Sequence, residues 1–427
     1  MMVAKKFVRI SSVFLLLGIF ILGSAFGWAK EIKTKEITFM HLWGAPTEKK
    51  IIGEVIDLFE KENPNIKVKQ LVFESSTYHT KILQLLLGKN PPDVFMAYPG
   101  FKTYDLVDRH LLLPLNSMWK ANDLDQYFPA GIKSTVTYKR KQWNLPWVAY
   151  INVVLYNKHL FKQLGLADPT TFEELEDAAA KIKKAGYYPF VSGWKALYRA
   201  AYPIDLILPS IGGPELFTNL AALRRDWNNQ AVKQTLAIWK NWVTKEYWYP
   251  DARSRSWQEG VSLFLENKCA MDMIGSYVFN ILDTAGLKYG TDYDFFFFPQ
   301  INKKYPLTLT GPFDSFAIPA KAAHLKEAQK FLAFLATNAA QSIGAKAGGM
   351  VFNKNVDVYT GPMQKIKTIF KSEATTTFRP GFFEATTPLG LQMISFKAMP
   401  DFYDNPDIAK FIKQANDTRK QYQKEKR

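Results

Sequence analysis

A chain of 427 residues is long enough for about two or three domains, and its 47% hydrophobic and 22% charged content exclude a mainly disordered protein. The net charge is +16, and the single cysteine, Cys269, excludes an intrachain disulfide. Rings are abundant, with 11 Trp, 20 Tyr and 32 Phe, which leaves aromatic material for a binding surface beyond the core.

The chain opens with a positive segment (Lys5, Lys6, Arg9), an apolar run from Val13 to Leu22, and the small residues Gly23, Ser24, Ala25, Gly27 and Ala29. This is the pattern of a secretory leader, with the cut expected after Ala29. The alternative, a retained anchor, asks for about 20 apolar residues, more than this run supplies. No cysteine stands at the cut, so no lipid is expected there, and the predicted location is a periplasm. Losing Lys5, Lys6 and Arg9 takes the net charge from +16 to +13. Outside the cytoplasm nucleic acid is not an expected partner. The basic excess reads as a solvated surface or as a bias toward an acidic ligand. Cys269, in an apolar run, reads as a small buried hydrophobe.

Glu36 to Trp43 reads as a strand covered on both faces. Thr47 is placed as the cap of a helix whose apolar stripe is Ile51, Ile52, Val55, Ile56 and Phe59, stopped by Asn63-Pro64. Ile66 to Phe73 is a second strand. A helix through Tyr78, Ile82, Leu85 and Leu86 ends near Gly88, and Asp93 to Tyr98 is a third strand, with Asp93 structural at its entry. Such a β-α-β-α-β order implies parallel pairing. Trp143 to Tyr156 reads as two strands kinked at Pro146. Thr171 with Glu174, and Ser256 with Glu259, form capping boxes. Tyr188 to Val191, Ala270 to Ile274, Phe295 to Phe298 and Leu307 to Ile318 are further strands. Lys326 to Leu335 and Asp407 to Lys424 are helices. There is neither a repeat at solenoid periods nor a low-complexity linker. Lobes without a linker imply that ordered strands cross between them, as in a hinged clamp with its ligand in the cleft.

Four segments together carry a family resemblance. They are the strand ending Trp43-Gly44 before a helix that closes in FEKENPNIKV, and Gly88-Lys89-Asn90-Pro91-Pro92-Asp93-Val94. The others are LPWVAYINVVLYNKHLF (Leu145 to Phe161) and Phe264 with KCAMDMIGSYVF (Lys268 to Phe279). In this order the chain resembles the extracellular solute-binding proteins of family 1, the maltose and oligosaccharide type, over essentially all of its length after the leader. The resemblance implies an α/β, two-lobed, clamp-like (type II) periplasmic binding protein fold, each lobe a mostly parallel sheet flanked by helices. The boundaries expected are residues 1–29 for the leader, 30–148 with 314–365 for lobe 1, and 149–313 with 366–427 for lobe 2. It also implies a monomer that captures a carbohydrate and hands it to the transmembrane subunits of an ABC importer, with no cofactor and no catalysis. Three departures keep the sugar open: Tyr277 where the family often has Trp, Tyr150 where it often has a charge, and a Gly348-Gly349 step without the usual proline.

A sugar presents C–H faces for rings and a rim of hydroxyls for carboxylates, amides and cations. Ligands of open α/β sheets sit beyond the carboxyl ends of the strands. The candidate ligand-binding residues are therefore Trp43, Glu48, Tyr98, Trp147 and Tyr150, with Tyr277 after Gly275-Ser276. Gly311, Phe313 and Asp314 join them from the return strand, which the family places at the second crossing, and Trp194 is the candidate from the second lobe. Phe382 and Phe383 are weaker candidates. Against catalysis, no nucleophile, metal or nucleotide motif stands in a fitting context. The five histidines (41, 79, 110, 159, 324) lack ligand spacing. An acidic, uronate-type saccharide stays open as an alternative, as do a non-sugar solute and, through Tyr187-Tyr188, ferric ion.

Overall fold

Three parallel strands open the fold, of which the third is buried on both faces, while the second, at the sheet edge, exposes alternate residues such as Lys67 and Lys69. The strands are β1 (Lys35–His41), β2 (Ile66–Val72) and β3 (Val94–Ala97). The computed structural model describes residues 34–425 apart from 45, 196 and 371–375, so the expected leader and its cut after Ala29 lie outside the described residues. β1 pairs with β2 along its whole length, from Lys35 opposite Ile66 to His41 opposite Val72, and with β3 on its other edge. The helix α1 (Pro46–Glu62) buries Ile51, Ile52, Val55, Ile56 and Phe59, the expected stripe. It starts on Pro46, whose fixed φ suits a first helical position, so Thr47 lies inside the first turn and does not cap it. The helix α2 (Ser75–Leu87) returns the chain to β3.

The next two strands, β4 (Leu145–Ala149) and β5 (Asn152–Asn157), belong to different sheets. The break falls at Tyr150-Ile151, not at Pro146. Pro146 stays within β4 because the ladder there carries a bulge, with Asp314 opposite Val148 but Ser315 opposite Pro146. A bulge tolerates the residue that cannot donate. Both expected capping boxes form, at the starts of α3 (Phe172–Lys184) and, further on, of the helix Trp257–Leu265. Their chemistry is confined to four residues, which is why it is readable locally.

The second sheet adds β6 (Tyr188–Phe190), β7 (Cys269–Gly275) and β8 (Tyr293–Phe296) in the order β8-β5-β7-β6. Leu307 to Ile318 divides at Pro312 into β9 (Leu307–Gly311) and β10 (Phe313–Ala317). β10 enters the first sheet, completed by β11 (Met350–Val351), in the order β11-β4-β10-β3-β1-β2. β9 pairs instead with β12 (Thr376–Pro380). Both large sheets are mixed, with β10 antiparallel to β3 and β4, and β5 antiparallel to β7 and β8. A strand that returns from the other lobe enters the sheet from its far end, so parallel pairing is limited here to β1–β3 and β6–β7.

Most of the aromatic content is core. Phe39, Phe59, Phe316 and Phe331 pack behind the first sheet. Trp227, Trp239, Phe382, Phe402 and Phe411 fill the helical end, and Tyr156, Phe190 and Trp242 lie against the second sheet. Cys269 is fully buried, as expected. Among the described residues no helix is long and apolar enough to cross a membrane.

Candidate functional site

The two sheets meet where β4 passes into β5 and β9 into β10. The Tyr150 N–H donates to Pro312 O at 2.9 Å, and a Cβ on Gly311 would lie 1.8 Å from Tyr150 O, so only glycine allows the strands this close. Ser276 fastens the junction. Its N–H donates to Ile151 O (2.9 Å), its Oγ accepts from the Ile151 N–H (3.2 Å), and the same hydroxyl donates to Gly348 O (2.8 Å). Gly311 and Ser276 thus hold the junction between the two sheets through backbone contacts.

On the side of the first sheet, β1 ends in His41 and leads into Trp43. The Trp43 indole N–H donates to Asp314 Oδ2 at 3.2 Å, tying the end of β1 to β10. His41 is fully buried; its Nδ1 accepts the Trp43 N–H (3.2 Å), which leaves Nε2 as the donor to Gln70 Oε1 (3.1 Å). That neutral tautomer is enforced by burial, which lowers the imidazole to about 4, against a smaller upward pull from Gln70. Tyr78 donates to Met96 O. Tyr150 stands beside Asp314 and Glu48: burial, then those two carboxylates, hold its hydroxyl protonated far above the usual range. Asp314 also acts on Tyr78, after burial, in the same sense. Trp43, Tyr78, Tyr150, Asp314 and Glu48 therefore form one polar-rimmed aromatic group.

Tyr150 meets Tyr277, just past the end of β7 in the second sheet, edge to face at 5.6 Å. The Tyr277 ring lies over Gly275, where a Cβ would sit 2.5 Å from its Cε1, and takes Trp257 on its edge at 5.3 Å. Its hydroxyl lies 2.9 Å from that of Tyr202 and 3.5 Å from that of Tyr198. Tyr198 is 5.9 Å from Phe383, and Phe383 lies under the ammonium of Lys102 (4.2 Å), which also sits over Tyr98 (4.8 Å). Tyr98 follows β3, the neighbour of β10, so the run of rings leaves the first sheet at Tyr150, passes Tyr277 at the end of β7, and returns to the first sheet. Beneath it, buried Arg199 donates from Nη2 to Asp272 Oδ1 and to Met273 O (3.1 Å), pinning the segment that carries Tyr198 and Tyr202 to β7. Burial pushes Asp272 up to about 6, with Arg199 pulling the other way.

Not every expected residue faces this run. Trp194 is 4% exposed and packed in the helical core, stacked on Tyr403 at 3.7 Å and edge-on to Trp248. Trp147 is buried against Gly344, whose Cβ would be 2.6 Å from the indole, and lies 6.3 Å from Trp43 and 5.7 Å from Phe316, ring centre to ring centre. Phe313 points the opposite way from Asp314, into Phe352 (4.4 Å), as strand alternation requires. Phe382 is core against Trp227 (5.6 Å). Asp93 is structural as read, accepting from the Thr38 N–H at 2.8 Å and the His324 N–H at 2.9 Å. A surface groove of about 890 Å³, lined by Lys233, Ile408, Ile412 and Lys420 among others, contains none of these residues.

Residues 44–342 match the bacterial extracellular solute-binding protein family. The chain belongs to that family. An uncharacterised ABC transporter extracellular-binding protein of Pyrococcus horikoshii is 28% identical over 73% of this chain and 70% of its own length. The multiple sugar-binding protein of Streptococcus mutans is 26% identical over 68% of each chain. The solved bacterial solute receptor AcbH, described as having an exclusive preference for β-D-galactopyranose, superposes with a TM-score of 0.81 at 21% identity, covering 91% of this chain and 99% of AcbH. The fold is accordingly the two-domain α/β fold of periplasmic binding proteins, and the role is binding, not catalysis. Family membership implies an extracellular or periplasmic setting, a small-molecule ligand and the membrane components of an ABC transporter as partners.

Sequence reasoning about this solute-binding protein missed Tyr198, Tyr202, Trp257 and Lys102. Tyr198 and Tyr202 are four apart in a segment assigned no element from its sequence, a spacing that would have put both rings on one helical face. Tyr78 was legible only as part of an apolar helix stripe.

Proposed function

We propose that this protein captures a carbohydrate, an oligosaccharide, between its two lobes and delivers it to an ABC importer. The observation that carries the reading is the run of rings and hydroxyls from Trp43 and Tyr150 through Tyr277, Tyr202 and Tyr198 to Phe383 and Tyr98, rimmed by Asp314 and Glu48. Rings cover the C–H faces of a sugar, and hydroxyls and carboxylates take its rim. Relatives whose names specify multiple sugars, diacetylchitobiose and mannitol support the same class. The working boundaries are 30–148 with 314–365 for lobe 1 and 149–313 with 366–427 for lobe 2, in a monomer exported through a leader cut after Ala29. Ligand shifts the population toward the form in which both walls engage it.

Lys102, between Tyr98 and Phe383, favours a second reading in which the saccharide is acidic. A thermal-shift screen against neutral and uronic saccharides tests both, because a ligand of the native state raises the melting temperature by mass action. A shift with neutral sugars supports the first reading, and a salt-sensitive shift confined to uronates the second. No shift with any saccharide, in folded and ligand-free protein, overturns both.

A further inference from the structure

We propose that the helix Ile408–Glu425, with the two segments beside it, is a docking face for an anionic phospholipid bilayer, and that it holds this solute-binding protein against the membrane that carries its importer. Lys102 apart, the basic excess behind the net charge of +16 has no part in the solute site, so the proposal does not depend on which solute is carried. Along the helix, Lys410, Lys413, Lys420 and Lys424 fall three, seven and four positions apart, with Asp417 in the gap, and so share one side over about 21 Å. All four are exposed, while Phe411, Ile412 and Ala415 turn into the core.

A groove lies on each side of this row. One, of about 890 Å³, separates it from the helix Gln230–Thr244 and is lined by the apolar Ala237, Ile408 and Ala409, with Lys233 facing the row from across it. The other, of about 290 Å³, separates it from the π-helical segment Leu391–Ala398 and is lined by Met393 and Lys397. The acids nearby are held by cations: Asp417 by Lys413 at 2.7 Å, and Asp226, which also accepts from Asn416 at the first groove, by Arg419 at 3.1 Å. Cations alternating with apolar strips fit an anionic bilayer, whose phosphates meet the lysines while its glycerol and acyl boundary meets the strips. A partner helix would fill one groove and meet the lysines of that groove alone. A planar surface meets the row and the lysines on both sides of it together, so the width of the face favours the bilayer.

The test is cosedimentation of the whole exported chain with vesicles of equal parts phosphatidylglycerol and phosphatidylcholine, against vesicles of phosphatidylcholine alone. The expected result is binding to the anionic vesicles at about 0.1 M salt that is lost at about 1 M, where the Debye length has fallen from about 10 to about 3 Å. A variant carrying Lys233→Gln, Lys397→Gln, Lys410→Gln and Lys420→Gln should bind them roughly a hundredfold more weakly. A control with the same loss of charge at exposed positions around the first sheet, Lys61→Gln, Lys89→Gln, Lys326→Gln and Lys330→Gln, should bind like the wild type. Unchanged melting temperatures show that both variants are folded. No binding to the anionic vesicles, equal binding to the neutral ones, unchanged binding in the first variant, or equal loss in both variants overturns the docking face. Binding of polyglutamate without binding of vesicles assigns the grooves to an acidic protein segment and overturns the bilayer.

Discussion

Acidification from about pH 7 to about pH 4.5 should cost this protein more stability than its carboxylates alone explain, because His41 must stay neutral. The imidazole is fully buried between Trp43 and Gln70, and burial lowers it from 6.5 to about 4. A group depressed in the folded state binds its proton earlier in the unfolded chain, so stability is present above about 6.5 and is lost as pH falls toward about 4. At about 1.36 kcal/mol per pH unit the full effect is roughly 3 kcal/mol, of which roughly 2 is lost by about pH 4.5. Asp272 acts with the opposite sign in part of the same window, since a carboxyl raised to about 6 loses stability as pH rises through that range. The wild-type curve alone therefore mixes the two. The assay is urea unfolding at a series of pH values for the wild type and for His41→Gln, which keeps an acceptor for the Trp43 N–H and a donor for Gln70. The difference between the two curves should grow by roughly 2 kcal/mol between about pH 7 and about pH 4.5, the variant being the less acid-sensitive. Parallel curves would refute the claim that His41 is held neutral.

Arg199→Met should destabilise by about 3–5 kcal/mol, because it strands Asp272 in a fully buried place; adding Asp272→Leu should recover most of that in denaturant titrations. Gly275→Ala would drive a methyl into the Tyr277 ring and should weaken saccharide binding by about 1–3 kcal/mol in calorimetry, with only a small change in melting temperature. Trp194→Ala should lower stability by about 3–5 kcal/mol while leaving affinity unchanged, and a large loss of affinity in a still-folded variant would return that ring to the site.

What was legible in the chain was local chemistry. The stripe of α1 and the capping boxes at Thr171 and Ser256 each depend on residues a few positions apart, and each stands where expected. Strand alternation was available but not used to its end: Phe313 and Asp314 are neighbours on β10, so their side chains take opposite faces, Asp314 toward Trp43 and Phe313 toward Phe352. The pairing of Trp43 with Asp314 spans 271 positions and has no local signature. Trp194 was misleading for the same reason, since its partner Tyr403 lies in a distant helix whose docking no local pattern foretells. Pro146 reads as a break from its missing donor alone; the bulge opposite Ser315 that accommodates it is a property of the ladder.

The central claim is that a saccharide is held between the lobes by Tyr277 on one side and the Trp43–Asp314 group on the other. Small-angle scattering of the protein, free and saturated with the saccharide that gives the largest thermal shift, tests it most directly. The account predicts a smaller radius of gyration on binding, abolished together with the thermal shift in a Trp43→Ala, Tyr277→Ala double variant. Tight binding with an unchanged radius, retained in that variant, would contradict it.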